Sequence, residues 1–462
     1  MVGAIVLTLF APAHPLWNNR SSNIRPTCVS YPETFVFRSD LLTHQRMRLN
    51  QMLDELRGRN PFWSKRLEQA GLGAGPVESL EQWRSLPLLT KSELVADQNA
   101  HPRYGTNLTY PITSYVRLHQ TSGTTGRPMY WLDTTASWNW FMECWTQIYQ
   151  LVGLRPDDVL AFPFSFGPFI GFWAAFEGGV RRGNLCLAMG GLSSEIRLRQ
   201  IIEHQCTVVC CTPTYALRLA EIARKEGIDL GTSAVRAIIV AGEPGGAVAE
   251  TRARIEREWG ARVFDHWGMT DLGSLGIESE THPGSLTVLE TESIAEVIDP
   301  TTGVPAQPGQ IGELVMTNLG RVGQPVLRYR TGDLVKASLD VSAGGIGVLR
   351  LEGGVLGRSD DMLIIRGNNV FPSSVEAVLR GIPEITEFRL SVVKRQEMLQ
   401  LKIEFETEPA MAQNRDSLDE LVNRMGRRIS DRLAFQPELQ PVECGSLPRS
   451  EFKRQRVTKL VP

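Results

Sequence analysis

Apolar residues recur at three- and four-residue spacing in the first part of the chain, a period that predicts helices. LLTHQRMRLNQMLDELRGR, from residue 41, has this period, and NPFWSKRLEQAGL, from residue 60, ends in a glycine that favours a helix stop. Further along, short apolar segments alternate with amphipathic ones, as in DVLAFPF from 158, EIRLRQIIEHQ from 195 and CTVVCCTPTYALRLAEIARKEG from 206. VRAIIVAGE from 235 and ARVFDHWGMTD from 261 continue the alternation. The pattern predicts an α/β fold with a largely parallel sheet, where ligands gather at the carboxyl ends of strands.

The pattern changes twice towards the carboxyl terminus. Strands and turns dominate 285–356, and after GRSDDMLIIRGNNVFPSSVE at 357–376 a short α+β pattern follows. That pattern contains the start of an amphipathic helix, the strand LQLKIEFE, a helix near 417–434 and a polar, basic tail. We therefore predict a large domain over 31–358 and a small domain over 359–462. The apolar stretch MVGAIVLTLFAPAHPLW has no preceding positive charge, so we expect 1–30 to be a disordered extension.

Composition narrows the classes of partner. The chain has 462 residues, 42% of them hydrophobic and 22% charged, with a net charge of −2. This balance provides no basic field for nucleic acid, and no apolar run approaches the roughly 18 residues of a membrane span. The seven cysteines are scattered, and those in CTVVCC are interpreted as apolar residues of a buried strand. We expect a cytoplasmic protein that acts on a small molecule.

The stretch HQTSGTTGRPMYW at 119–131 has the composition of an anion-binding turn. It is not a Walker P-loop, because only two residues separate Gly123 from Gly126 and Arg-Pro follows them. Glycines let backbone N–H groups approach a polyphosphate, and the hydroxyl groups add donors. A Ser/Thr-rich surface turn is the alternative that this stretch alone leaves open.

Six segments in order resemble the motifs of the adenylate-forming enzymes, and most closely those of the phenylacetate-coenzyme A ligase branch. They are TSGTTGRP, AGEPGG at 241–246, DHWGMTD at 265–271, YRTGDLV at 329–335, GRSDDMLIIRGNNVFPSSVE and LPRSEFKRQRV at 447–457. RSLPLLTKSEL, CTPTYALRLAE and NNVFPSSVE are typical of the same branch. The resemblance covers about residues 40–457. It implies an α/β fold with a large amino-terminal adenylate-forming domain of parallel sheets and helices and a small, mobile α+β carboxyl-terminal domain.

The resemblance also implies a role for each matching position. The residues expected to hold the phosphates of ATP are Thr121, Ser122, Gly123, Thr124, Thr125 and Gly126. The residues expected around the adenine are Gly242, Glu243, Pro244, Asp265, His266, Trp267, Gly268, Met269 and Thr270. Trp267 replaces the usual tyrosine as the aromatic face for the base, and Asp265 is expected to accept from the adenine amino group. Asp333 suits the ribose hydroxyls, and Arg358 is expected to assist from the hinge side.

Two further positions carry the expected chemistry and one the expected motion. Lys453 is expected to stabilise the charge that develops when a carboxylate attacks the α-phosphate, with a solvated tail lysine as the alternative. Asp271 is expected to bind Mg²⁺, although the family usually has a longer glutamate there. Asp360 resembles the hinge about which the small domain rotates between two half-reactions. Phe452 stands where a glycine is common, which stiffens the loop.

The acid is expected to bind along FPFSFGPFIGFW at 162–173. Phe166, Gly167 and Phe169 are the predicted pocket residues, because apolar walls suit a planar acid. For Phe172 and Trp173 we favour core packing. His266 is a candidate to touch substrate or phosphate, with packing as the alternative.

The function expected is ATP- and Mg²⁺-dependent activation of an aromatic or arylacetic acid as acyl-AMP, followed by transfer to coenzyme A. A carrier-protein phosphopantetheine, an amine acceptor and a non-carboxylate substrate stay open as alternatives, as does an ATP-binding relative that has lost the chemistry. A homodimer is also left open. Ser279, Thr287 and SAGGIGVLRLEGG occupy positions where close relatives often have cysteine and histidine, so we expect no structural zinc.

Overall fold

The computed structural model describes residues 37–461, except for 122–127, 169, 308, 342–346, 360–362, 366–367, 371, 396–397, 413, 434 and 448–456. The extension predicted over 1–30 lies outside these residues. Within the described ranges, no helix combines the length and the apolar character needed to cross a membrane.

The helices follow the predicted periodicity, and polar caps fix several of their first residues. Thr90 and Glu93 form a capping box, and Thr212 caps a helix that starts at Pro213, a favoured first residue. The α-helices of the described part are α1 (Arg38–Leu56), α2 (Pro61–Gln69), α3 (Leu80–Trp83), α4 (Lys91–Ala100), α5 (Thr135–Leu151), α6 (Trp173–Arg182), α7 (Ser194–Glu203), α8 (Pro213–Lys225), α9 (Ala249–Trp259), α10 (Pro372–Arg380), α11 (Pro409–Ala412) and α12 (Arg415–Leu433).

The strands of the described part form one large sheet, one small sheet and two hairpins. They are β1 (Tyr115–Gln120), β2 (Tyr130–Thr134), β3 (Val159–Phe162), β4 (Leu185–Ala188), β5 (Val208–Cys211), β6 (Ala237–Val240), β7 (Arg262–Met269), β8 (Gly273–Ser279), β9 (His282–Val288), β10 (Ser293–Ile298), β11 (Ile311–Asn318), β12 (Tyr329–Val341), β13 (Gly347–Arg358), β14 (Leu363–Ile365), β15 (Asn368–Val370), β16 (Ile385–Arg395), β17 (Met398–Thr407), β18 (Glu438–Pro441) and β19 (Val457–Val461).

The large sheet has 11 strands in the order β10-β11-β12-β13-β9-β8-β7-β6-β5-β3-β4. The α/β class is confirmed, but the parallel part is limited to β4, β3, β5, β6 and β7. From β8 onward neighbouring strands are antiparallel, and short turns connect β7 to β8 and β8 to β9, as antiparallel pairing allows. The candidate site lies where the parallel part meets the antiparallel part, at β7.

Helices cover both faces of the parallel part, as its side chains show. In β5, Val208 and Cys210 belong to one buried cluster, while Val209 and Cys211 belong to the other. All four are at most 2% exposed, which confirms the interpretation of CTVVCC as a core strand. The fully apolar sequence follows from burial on both faces.

The small domain has its own sheet and its own core. Its sheet has the order β18-β17-β16-β19, and its buried cluster runs from Leu363 to Phe435, with α10 and α12 on it. The prediction of a polar, basic tail is wrong for the last residues of the chain, because there β19 pairs in parallel with β16. That pairing is non-local, so no short-range pattern marked it. The predicted boundary after residue 358 stays a prediction.

Candidate functional site: a nucleotide cleft at the end of strand β7

The predicted phosphate-binding stretch joins the two strands of a separate hairpin, β1 and β2, which pair antiparallel. Thr121 closes its base: its backbone N–H donates to the carbonyl of Met129 at 3.0 Å, and its hydroxyl accepts from the N–H of Met129 at 3.0 Å. Because the hydroxyl accepts here, its proton can still be donated to a ligand. The other predicted phosphate ligands, Ser122, Gly123, Thr124, Thr125 and Gly126, lie outside the described residues.

The predicted adenine loop begins directly after β6. Gly242 has φ +91°, a conformation that favours glycine, and both Gly242 and Pro244 are exposed. The side chain of Glu243 accepts from the backbone N–H of Thr214, at 2.8 Å, and from its hydroxyl. That carboxylate therefore holds the first turn of α8, which leaves the loop backbone and Pro244 to meet a base.

Asp265 lies beneath this loop. A Cβ atom at Gly246 would come within 2.1 Å of Asp265 Oδ1, so glycine lets the loop pass over the carboxylate. Burial and the neighbouring carboxylate of Glu278 raise the pKa of Asp265 to about 7, although Arg252 lowers it. A carboxyl group that titrates near neutrality can donate as well as accept a hydrogen bond, which suits the edge of a purine.

Three residues predicted separately come together at β7, β12 and β13. The indole Nε1 of Trp267 donates to Asp333 Oδ2 at 2.8 Å, and Arg358 Nη1 donates to Asp333 Oδ1 at 3.0 Å. Trp267 is only 9% exposed, so the indole is fixed by packing as well as by this bond. These two donors orient the carboxylate of Asp333, the side chain predicted to accept from the ribose hydroxyls.

Asp271 follows β7 and is 4% exposed. Its Oδ2 accepts from the hydroxyl of Tyr329 at 2.6 Å, and burial together with the charge of Asp271 raises the pKa of Tyr329. Before it, Gly268 is exposed, and Met269 and Thr270 are half-buried. A Cβ atom at Gly268 would lie 2.8 Å from the carbonyl oxygen of Gly273, so glycine permits the close pairing of β7 with β8.

A single carboxylate is compatible with the predicted magnesium site. Mg²⁺ in nucleotide sites is commonly held by one or two carboxylates together with substrate phosphates. Asp271 is the carboxylate predicted for this role, and Thr121 belongs to the stretch predicted to bind the phosphates. Among the described residues, no cluster of three or more His, Cys, Asp or Glu side chains could hold a metal ion.

His266 lies on β7 between Asp265 and Trp267 and is buried. Its Nδ1 lies 2.8 Å from the carbonyl of Gly276, and its ring centroid lies 4.8 Å from that of Trp145. Burial lowers the pKa of His266 to about 4, partly offset by the bond to Gly276. The imidazole is therefore neutral at physiological pH, with Nδ1 as the donor and Nε2 as an acceptor. The packing alternative accounts for these contacts, and a charged contact to phosphate does not fit them.

Replacing His266 should flatten the response of stability to acid. The pKa of His266 is 6.5 when unperturbed and about 4 in the folded protein. The contribution of the buried, neutral imidazole to stability is therefore complete above pH 6.5 and is lost as the pH falls towards 4. The shift corresponds to about 3 kcal/mol. In urea unfolding at several pH values, His266→Asn should lose less stability than the wild type across this window. The exposed His204→Asn is the control, and parallel curves for His266→Asn would contradict the prediction.

The predicted acid-binding segment is tied to the phosphate hairpin, because the N–H of Gln120 donates to the carbonyl of Pro168 at 2.9 Å. Phe166 has φ +45°, which is strained for a bulky side chain, and its ring packs on Trp173 and Phe176 at centroid distances of 4.8 and 5.5 Å. Among the described residues, nothing lies within 4 Å of where a Cβ atom of Gly167 would be. Phe166, Trp173 and Phe176 thus form an aromatic wall next to this glycine.

The remaining residues of this segment divide between core and surface. Phe172 is 4% exposed, as the preference for core packing predicted, and Trp173 is half-buried with its indole donating to the carbonyl of Gly167 at 3.1 Å. Phe169 lies outside the described residues, and so do Lys453 and Asp360. Their predicted roles stay predictions.

Comparison with known proteins agrees with this geometry. Residues 111–320 match the family model for the AMP-binding enzyme, and residues 367–460 match that for the AMP-binding enzyme C-terminal domain. The phenylacetate-coenzyme A ligase of Thermus thermophilus is 30% identical over 91% of this chain and 96% of its own length. The chain belongs to the phenylacetate-coenzyme A ligase family. The Escherichia coli phenylacetate-coenzyme A ligase, another relative, is 29% identical over 91% of this chain and 95% of its own length.

Two solved structures of one CoA ligase are similar to this chain to different degrees. 2-Hydroxyisobutyryl-CoA ligase in the postadenylation state, with R3-HIB-AMP, matches 94% of this chain and 90% of its own, with 26% identity and a TM-score of 0.83. In the thioesterification state, with 2-HIB-AMP and CoA, it matches 91% and 90%, with 28% identity and a TM-score of 0.67. The chain is therefore more similar to the postadenylation-state structure than to the thioesterification-state structure.

Within the ligase site, Trp267→Phe should weaken ATP binding more than catalysis. Phenylalanine keeps an aromatic face but removes the N–H that orients Asp333, and a hydrogen bond to a charged group contributes about 1.5–3 kcal/mol. We expect the KM for ATP to rise about 10-fold with a smaller change in kcat. Trp259→Phe, which removes an indole bond to the carbonyl of Ala216, is the control for fold effects. An unchanged KM for ATP in Trp267→Phe would contradict the role.

Proposed function

We propose that the protein joins an aromatic or arylacetic carboxylic acid to coenzyme A in two steps that consume ATP. The carboxylate attacks the α-phosphate, the bond to the β-phosphate breaks, and acyl-AMP and pyrophosphate result. The thiol of coenzyme A then attacks the acyl carbonyl, and AMP leaves. The observation that carries the proposal is the meeting of Trp267, Asp333 and Arg358 at β7, β12 and β13, in a chain of this ligase family.

Each described residue has a distinct part in this proposal. Asp333 would bind the ribose hydroxyls, since a carboxylate accepts from adjacent hydroxyl groups and this one is oriented by Trp267 and Arg358. Thr121 would donate to a phosphate from the base of the hairpin loop. Asp271 would hold Mg²⁺, which when bound neutralises phosphate charge. The planar aromatic surface near Phe166 favours an aromatic acid over a short aliphatic one.

The test is pyrophosphate release from ATP and Mg²⁺ with a panel of aromatic, arylacetic and aliphatic acids, with and without coenzyme A. We expect release that depends on an aromatic acid and consumption of coenzyme A in equal amount. Release without loss of coenzyme A would favour a carrier-protein thiol or an amine as the acceptor. Absence of release with every acid, while ATP still binds, would contradict the proposal and favour an ATP-binding relative without this chemistry.

Assembly is a separate proposal that this assay does not address. A homodimer would give a mass near twice that of the chain in light scattering after size exclusion. A carrier-protein partner would need its phosphopantetheine arm to replace coenzyme A in the second step.

A further inference from the structure

The predicted magnesium ligand is held from two sides by side chains to which the resemblance assigns no role. Tyr329 donates its hydroxyl proton to Asp271 Oδ2 at 2.6 Å. Arg321 donates from Nη1 to the backbone carbonyls of Thr270 and Asp271, at 2.5 and 3.2 Å. Both side chains are essentially inaccessible, with Tyr329 1% and Arg321 0% exposed. Asp271 thus has its carboxylate and its backbone fixed independently.

Arg321 is in turn anchored to the phosphate hairpin. Its guanidinium donates to both carboxylate oxygens of Asp133, on β2, at 2.8 and 2.7 Å. It also lies 5.0 Å from the ring centroid of Trp131 and 5.2 Å from that of Phe141. A two-pronged bond to a buried carboxylate fixes the guanidinium in one plane. The backbone of Asp271 is therefore connected through one side chain to the strand that leaves the phosphate loop.

The short side chain of Asp271 explains why contacts from both Arg321 and Tyr329 would be needed. Aspartate is one methylene shorter than the glutamate usual at this position of the family, so it has less reach and fewer rotamers with which to meet a metal ion. Mg²⁺ also demands nearly ideal octahedral geometry. A short ligand can satisfy that demand only if its backbone is placed correctly and its carboxylate is turned correctly. Arg321 does the first and Tyr329 does the second.

We propose that Tyr329 and Arg321 are positioning residues, which together hold Asp271 in the orientation from which its other carboxylate oxygen, Oδ1, meets the Mg²⁺ of bound ATP. The inference rests on the proposed function, because it requires that the hairpin binds ATP. It assigns the two residues to metal geometry rather than to the ATP contacts themselves. Their removal should therefore affect binding of ATP with magnesium and not binding of ATP alone.

The test is calorimetric titration of the full chain with ATP, in the presence and absence of Mg²⁺, for the wild type, Tyr329→Phe, Asp271→Asn and the double variant. We expect Mg²⁺ to tighten ATP binding in the wild type, and Tyr329→Phe to lose about 10-fold of that gain, as removal of one bond to a charged group predicts. Binding of ATP without Mg²⁺ should be unchanged. The double variant should lose no more than Asp271→Asn alone, because Tyr329 acts through Asp271.

Two controls separate positioning from loss of structure. Tyr149→Phe removes an equally short buried hydroxyl bond, 2.6 Å to the carbonyl of Ala175, and should leave the magnesium-dependent gain intact. Arg321→Lys keeps the charge beside Asp133 and should retain more of the gain than Arg321→Met, which keeps only the length. In steady-state assays, Tyr329→Phe should raise the Mg²⁺ concentration for half-maximal rate while kcat at saturating Mg²⁺ stays near that of the wild type.

Three results would overturn the proposal. One is equal weakening of ATP binding with and without Mg²⁺ in Tyr329→Phe. Another is an additive loss in the double variant, which would show that Tyr329 acts independently of Asp271. A wild type that binds ATP without any gain from Mg²⁺ would also overturn it, while acid-dependent pyrophosphate release would still decide the proposed function separately.

Discussion

Lys453→Ala should reduce acid-dependent pyrophosphate release by about 100- to 1,000-fold, the size seen when one preorganised donor to a developing charge is removed. Lys453 lies in LPRSEFKRQRV, inside the residues that match the carboxyl-terminal family model. Attack on the α-phosphate spreads negative charge over phosphoryl oxygens, and a single ammonium group placed beside these oxygens stabilises that charge better than solvent does. Because this charge appears in the transition state, kcat should fall much more than ATP affinity.

The matched control is Arg454→Ala, which removes the neighbouring cation of the same basic segment. If the segment acts only through its net charge, the two variants should lose the same modest amount. If Lys453 has a specific catalytic role, only Lys453→Ala should lose pyrophosphate release. Such a role also predicts that preformed acyl-AMP and coenzyme A still give thioester and AMP in that variant. Equal losses in the two variants would contradict a catalytic role for Lys453 and favour the solvated tail.

The parts of the fold that follow from local periodicity were predictable from the sequence. EIRLRQIIEHQ became α7, and CTVVCC became the strand β5, because burial of one stripe or of two faces imposes a period on the residues themselves. The parallel pairing of β19 with β16 was not predictable in this way. It joins segments more than 60 residues apart, since Val457 faces Leu390, and its strand is preceded by a basic, polar stretch.

The features of the candidate site divide in the same way, into those expected from the sequence and those that depend on the tertiary structure. The resemblance supplied Trp267, Asp333 and Arg358 as separate expectations, but it did not predict that the indole N–H would donate to the carboxylate across 66 residues of chain. It also did not predict that the carboxylate of Glu243 would hold Thr214. Tyr329 lies inside the segment YRTGDLV, so its position was a signal that we did not use. Arg321 carries no such signal, because its role comes from where the tertiary structure buries its charge.

Breaking the ion pair between Asp133 and Arg321 should have the largest effect on stability of the substitutions considered. Both side chains are 0% exposed, and Arg321 is held by both oxygens of Asp133. Asp133→Asn would leave a buried guanidinium without its counter-charge, which costs about 3–5 kcal/mol in comparable cases. Urea unfolding should show that loss. Glu143→Gln, which breaks a surface pair with Arg181, should cost less than about 1 kcal/mol.

The stability that the ion pair between Asp133 and Arg321 contributes should also depend on pH. Burial alone would raise the pKa of Asp133, but the charge and hydrogen bonds of Arg321, together with those of His119, outweigh burial and hold the pKa below the usual 3.8. The stabilisation is therefore complete above pH 3.8 and is lost as the pH falls through the lower value of the folded protein, so the wild type should lose more stability in acid than Asp133→Asn. Removing both charges, in Asp133→Leu with Arg321→Met, should recover part of the stability, because no buried charge is left unpaired. It should not recover the magnesium-dependent gain in ATP affinity, since the carbonyls of Thr270 and Asp271 then have no guanidinium to hold them. Recovery of both properties would show that the pair serves stability alone.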